Sequence, residues 1–240
     1  MGDVLTVKGL RKQYGQLEAV KGIDFSVRGG EVFALIGPNG AGKTTALRMA
    51  ATILQPSAGS IELNGIDIVK DPTRARELLS YLPEEAGAYK SMRGRDYLKF
   101  MAEVFFDDAT ERAESVKTAG RISGLGERLD DKLGTYSKGM TRKLLLARSI
   151  MTKPTLAILD EPTSGLDVLG ALDIRDTIKE FTRNGMAVLL SSHNMLEIEY
   201  LSDRVAIINK GVIHATGTPD ELKAKYSAQN LEEVFAEVAR

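Results

Sequence analysis

"EVFALIGPNGAGKTT", residues 31–45, decides how the rest of the chain is read. Its first half is an unbroken apolar run, the pattern of a strand buried on both faces. Its second half is a glycine-rich turn, followed by a helix expected over residues 44–54. A phosphate-binding loop needs this context: glycines let backbone amides wrap phosphate oxygens, a lysine reaches the outer phosphates, and a hydroxyl binds magnesium. The candidate phosphate-binding residues are therefore Gly37, Pro38, Asn39, Gly40, Ala41, Gly42, Lys43, Thr44 and Thr45. Lys43 would meet the outer phosphates and Thr44 the metal.

Before this loop the chain reads as strand over residues 4–10 and 19–27, where Ile23, Phe25 and Val27 alternate with polar residues. Such alternation points to antiparallel strands with one wet face. "SAGSIELNG" after the helix returns to strand and turn. Between residues 92 and 152 the period becomes helical, with Tyr97, Leu98, Met101 and Phe105 on one face. Then strand and helix alternate: "LAILD", a helix over 169–181, "MAVLLSS", a helix over 195–201, and "RVAIIN". That order implies a parallel sheet with crossover helices. The expected fold is α/β, with a parallel-sheet core, an N-terminal antiparallel β subdomain and an inserted α-helical lobe. Residues 219–240 carry two short amphipathic helical patterns.

Composition bounds the function. The 240 residues are 43% hydrophobic and 27% charged, as in an ordinary globular protein. With 32 basic and 33 acidic residues the net charge is -1, so no bulk electrostatic attraction favours nucleic acid, and none is expected as a partner. Cysteine is absent, which excludes disulfides and thiolate metal sites. No apolar run reaches the roughly 18 residues of a membrane span, and a cytosolic chain is expected. "MGDVLT" fits the permissive myristoylation pattern through Gly2 and Thr6 but runs directly into the first strand; no lipid anchor is expected.

Three further stretches carry chemistry. "LAILDEP" delivers Asp160 and Glu161 to the carboxyl end of a strand, where open α/β sheets bind ligands. Asp160 would hold magnesium through water, and Glu161 would orient and deprotonate an attacking water. "LLSSHN" puts His193 at the same position of another buried strand, from which it can donate to transferring phosphate oxygens. His214, inside a strand-like segment, is assigned no role. In "TYSKGMTRKLLLARSIM", residues 135–151, Met140, Leu144, Ala147 and Met151 mark a buried helix face. The helix begins with Gly139 among Lys138, Arg142 and Lys143, a start that disfavours itself unless its amides and Ser137 await an anion. The plainer alternative is a serine cap with incidental basic residues.

Together these motifs resemble the ATP-binding subunit of ABC transporters over nearly the whole chain, most closely the export-type, multidrug-like group. The resemblance implies a P-loop NTPase core, ATP and Mg²⁺ as cofactors, and one ABC ATPase domain over residues 1–240. Within it, 1–83 and 153–218 would form the catalytic core with the β subdomain, 84–152 the helical lobe and 219–240 a tail. It also implies roles. Asp160 and Glu161 match the magnesium aspartate and catalytic glutamate, and His193 the switch histidine. Asp167 in "SGLD" matches the D-loop, and Tyr14 sits where an aromatic ring stacks on adenine.

"YSKGM" occupies the place of the LSGGQ signature. Ser137 and Gly139 would therefore cap, in trans, ATP bound by a second copy or a paralogous subunit. Lys138 and Met140 depart from that signature. Glu84 stands where the family has a magnesium-contacting glutamine, and a carboxylate there is also a hard oxygen ligand. The implied protein dimerises head to tail around two Mg-ATP and drives a membrane permease from the cytoplasmic face, docking through residues 84–92. The competing readings are a soluble ABC ATPase in a non-transport process and a clamp that binds ATP without turnover.

Overall fold

The computed structural model describes residues 2–238, so the first residue and the last two of the expected tail lie outside the described residues. Two sheets organise the chain. β1 (Asp3–Tyr14) and β2 (Leu17–Arg28) form a long hairpin. β3 (Val32–Ile36) then leaves for the second sheet, while β4 (Ala58–Leu63) and β5 (Ile66–Asp67) complete an antiparallel sheet of order β2-β1-β4-β5. The second sheet adds β6 (Leu79–Leu82), β7 (Leu156–Asp160), β8 (Ala187–Ser192), β9 (Arg204–Asn209) and β10 (Val212–Gly217). Its order is β10-β9-β3-β8-β7-β6, parallel except for the edge strand β10.

The apolar runs of the central strands are explained by two cores. In β3, Val32, Ala34 and Ile36 face one core while Phe33 and Leu35 face the other; β7, β8 and β9 divide in the same way. Successive side chains of a strand point to opposite faces, so a sheet covered on both sides needs apolar residues at every position. One core lies towards the antiparallel sheet and takes Ala46, Leu47, Met49 and Ala50 of α1 (Lys43–Ala50). The helix expected to reach residue 54 ends early. Thr52 is left-handed (φ 60°), and the amides of Ile53 and Leu54 both turn back to the carbonyl of Arg48.

After α2 (Pro72–Leu78) and β6, the chain runs through α3 (Gly94–Phe105), α4 (Ala109–Ser123), two 3₁₀ turns and α5 (Lys138–Ser149) before β7. Tyr97 and Leu98 are buried as expected, whereas Phe105 in the last turn of α3 is 41% exposed. α6 (Val168–Arg183) and α7 (Met195–Leu201) are the crossovers around β8. α8 (Pro219–Tyr226) starts on a reciprocal capping box between Thr218 and Glu221, and α9 (Leu231–Val238) folds back on the second core.

The tail docks on the core of its own chain. Leu231 and Val234 are fully buried within the chain, Phe235 packs beside them, and the Leu231 amide donates to Glu199 of α7. Replacing Leu231 with alanine leaves a cavity, so Leu231→Ala should lower unfolding stability by about 2–4 kcal/mol in urea titration. The loss should not vary with protein concentration, because the contact is internal.

Candidate nucleotide site

The register of the parallel sheet sets the site. Ile36 of β3 lies opposite Ser192 of β8, and Ser191 lies opposite Asp160 of β7, so three neighbouring strands end at one level. Each end releases a functional segment: the loop of residues 37–45 from β3, Asp160 and Glu161 from β7, and His193 from β8. Carboxyl ends of adjacent parallel strands form the crevice where this fold class takes ligands.

The loop is built for close approach. At Gly42 the backbone is left-handed (φ 106°), and a Cβ there would stand 2.7 Å from the carbonyl oxygen of Ala19 in β2. A Cβ on Gly37 would strike the carbonyl of Ile208. No side chain caps α1 or α3, whereas Asp71, Asp108, Ser137, Asp167, Asn194 and Thr218 cap α2, α4, α5, α6, α7 and α8. An uncapped helix start behind a glycine loop presents amides and a positive dipole end to an anion. Tyr14 ends β1 on the hairpin whose Ala19 abuts the loop; its ring is half-exposed, with the Lys12 ammonium 5.2 Å from the centroid.

Two sets of side chains, one around Glu161 and one around Asp160, lie beneath the loop and meet at Ser191. Lys43 is 5% exposed and donates to the carbonyls of Gly37 (2.7 Å) and Pro38 (3.2 Å), and its ammonium lies 3.6 Å from Glu161. Glu161 reaches His193 Nδ1 at 2.9 Å with its other oxygen, Oε2. Asp160 accepts from Thr44 (3.1 Å) and from Ser191 (2.5 Å), with the Tyr81 hydroxyl at 3.4 Å. Burial lowers the pKa of Lys43 and outweighs the opposing pull of Glu161. Burial, then the Asp160 charge, raises that of Tyr81. Glu161 itself is a left-handed non-glycine residue (φ 46°), a backbone state that persists only where its surroundings over-determine it.

The expected magnesium ligands divide. Thr44 and Asp160 touch, and the described residues contain no cluster of three or more His, Cys, Asp or Glu that could cage a metal. This donor set suits Mg²⁺, which takes one or two carboxylates and completes its shell with water and substrate phosphates. Glu84 is exposed and accepts from the Ser164 hydroxyl (3.3 Å), yet its charge acts on Lys43. Asp167 caps α6 by accepting from the Gly170 amide. A cleft of about 310 Å³ beside it has Glu161 and His193 on its wall.

At the start of α5 the structure resolves the three basic residues differently from the sequence pattern. Ser137 caps the helix by accepting from the Met140 amide, and Lys143 pairs with Asp173. Arg142 turns inward to backbone carbonyls. Only Lys138 stays at the surface. Its ammonium packs against Gly165, and it shares a cavity of about 360 Å³ with Glu84 and Ser164, so the two departures from the signature and glutamine positions meet. The residues that sequence reasoning missed are Ser191, Tyr81 and Arg142. Two signals were present: paired serines inside an otherwise apolar strand, and Arg142 standing three and seven residues before buried Leu145 and Ser149.

A profile of the ABC transporter family matches residues 20–164, well over half of the chain. The chain belongs to the ABC transporter family. It is 35% identical to the linearmycin resistance ATP-binding protein LnrL of Bacillus subtilis, over 95% of this chain and 73% of that protein. It is 36% identical to the daunorubicin/doxorubicin resistance ATP-binding protein DrrA of Streptomyces peucetius, over 95% of this chain and 69% of the relative. A solved ATP-binding subunit of an ABC transporter superposes with a TM-score of 0.87 at 29% identity, covering 99% of this chain and all of that one. The chain is thus an ABC transporter ATPase with an α/β ABC ATPase fold, and its relatives include proteins named for drug resistance.

The lowered pKa of Lys43 has a directional consequence. Between that value and the ordinary 10.5 the unfolded chain holds a proton that the folded chain has lost, so folding gains stability as pH rises through this window. Nucleotide-free wild type should therefore gain melting temperature relative to Lys43→Met as pH is raised towards 10.5, measured by scanning calorimetry. A constant difference between the two proteins would show that burial does not tune Lys43.

Proposed function

We propose that this chain is the ATP-hydrolysing subunit of an exporter, a single ABC ATPase domain that closes head to tail with a second copy, or with a paralogous subunit, around two Mg-ATP. The observation that supports it best is the convergence of Lys43, Thr44, Asp160, Glu161 and His193 at three adjacent strand ends, each in contact with another. Hydrolysis needs positioning and charge stabilisation more than covalent chemistry from the protein, and these residues supply both.

The residues 37–45 would hold the phosphates through their amides, and Tyr14 would stack on adenine. Thr44 and Asp160, with Glu84 from the neighbouring loop, would hold Mg²⁺, which when bound neutralises phosphate charge. Lys43 would exchange the carbonyls of Gly37 and Pro38 for phosphate oxygens. Glu161 takes a proton from water as its oxygen attacks the terminal phosphorus, and the bond to ADP breaks. An ionised Glu161 accepts from His193 Nδ1–H, so Nε2 can donate to the phosphoryl oxygens only while the ring holds both protons.

Ser137 accepts from Met140 but retains its own hydroxyl proton, which it can donate to a phosphate in the partner's site, beside Gly139 and with Asp167 crossing at the interface. No helix of the described residues is long and apolar enough to cross a membrane. In this reading the chain works with a separate permease, met at the cytoplasmic face. Residues 84–92 and α3 supply a docking surface. Tyr89 is 58% exposed and packs edge-on against Tyr97 and Phe100.

Steady-state ATPase activity should rise more steeply than linearly with protein concentration. Glu161→Gln should hydrolyse on the order of a hundredfold or more slowly, as expected when a general base is lost, while still dimerising in ATP by light scattering. A linear dependence, or a Glu161→Gln variant with wild-type turnover, contradicts the composite-site reading.

A further inference from the structure

We infer that Arg142 is a positioning residue for hydrolysis, holding the peptide of Glu161 and the loop of Glu84 to the start of α5. The guanidinium is buried and carries five N–H donors, and five carbonyl oxygens receive them. Nε donates to Pro162 (2.8 Å), Nη1 to Pro83 (2.9 Å) and Glu84 (3.1 Å), and Nη2 to Asp160 (2.8 Å) and Glu161 (2.9 Å). Every acceptor is main chain. One planar cation therefore ties three segments together: the second turn of α5, the end of β7, and the loop after β6.

The consequence falls on Glu161. Its left-handed backbone is gripped from both sides: the amide donates to the Ser191 carbonyl (3.2 Å) and hydroxyl (3.1 Å), and the carbonyl accepts from Arg142. Released from Arg142, the peptide can relax to an ordinary conformation, and the carboxylate leaves Lys43 and His193. The same side chain joins Ser137 and Gly139 at the helix start to the base in its own chain, so displacement of α5 reaches Glu161 through a rigid fork. Lysine cannot replace it, because a single ammonium does not span three segments.

The inference rests on Glu161 being the general base, and the experiment separates the two. Turnover, fluorescent-ATP affinity and melting temperature are measured for wild type, Arg142→Gln, Arg142→Lys, Glu161→Gln and the Arg142→Gln/Glu161→Gln double variant. Both Arg142 variants should bind ATP within about twofold of wild type yet lose kcat by about ten- to a hundredfold, as misplacement of a reacting group does. The double variant should be no slower than Glu161→Gln alone, since both changes remove one group's contribution. An inactive Glu161→Gln beside an Arg142→Gln of wild-type kcat overturns this inference alone; an active Glu161→Gln overturns the reading beneath it. Losses that add in the double variant, or kcat, affinity and melting temperature that fall together, overturn it in favour of a purely structural role. Should Arg142→Gln not fold, Arg142→Lys, which keeps charge and stem, carries the same comparison with Lys in the double variant.

Discussion

The contact between Lys43 and Glu161 is the constraint on which the site depends. Both side chains are 6% exposed and stand 3.6 Å apart, beneath a loop that shields them from water. A buried charge without a partner is strongly unfavourable, and removing one member of such a pair strands the other. The pair exists only if the β3 loop, the end of β7 and the end of β8 stay in register, because His193 and Ser191 complete the shell of Glu161. The two-faced apolar sheet keeps that register, since slipping a strand by one residue would turn each core face towards the other.

Much of this was legible in the sequence because it rests on short-range rules. An apolar run ending in glycines, and two more ending in Asp-Glu and in Ser-Ser-His, state strand ends and their cargo directly. The parallel order followed from alternation of strand and helix. What stayed hidden depends on contacts distant along the chain. The spacing of Arg142 to Leu145 and Ser149 signals its buried face but not its partners, since its acceptors lie as far as 59 residues away. Ser191 reads as strand filler until its hydroxyl is found on Asp160. The left-handed backbone of Glu161 has no local signal at all, because no glycine or asparagine marks the position.

Lys138 and Glu84 show the same limit in another form. As isolated departures from a family pattern each reads as a defect, one adding a positive charge at the signature and one a negative charge near phosphate. Folded, they line one cavity, joined through Ser164 and Gly165, so their opposite charges fall in one neighbourhood. Electrostatic balance at this cavity is a property of the pair, which reading one position at a time does not reveal.

When ATP binds, its phosphate should replace Glu161 as the counter-charge of Lys43 and free the carboxylate for water. The most direct test is the affinity of fluorescent ATP for wild type and Glu161→Gln, at fixed magnesium and at protein concentrations where both are monomeric. If Glu161 competes with phosphate for Lys43, neutralising it should make ATP bind more tightly. Equal or weaker binding to Glu161→Gln would contradict that competition.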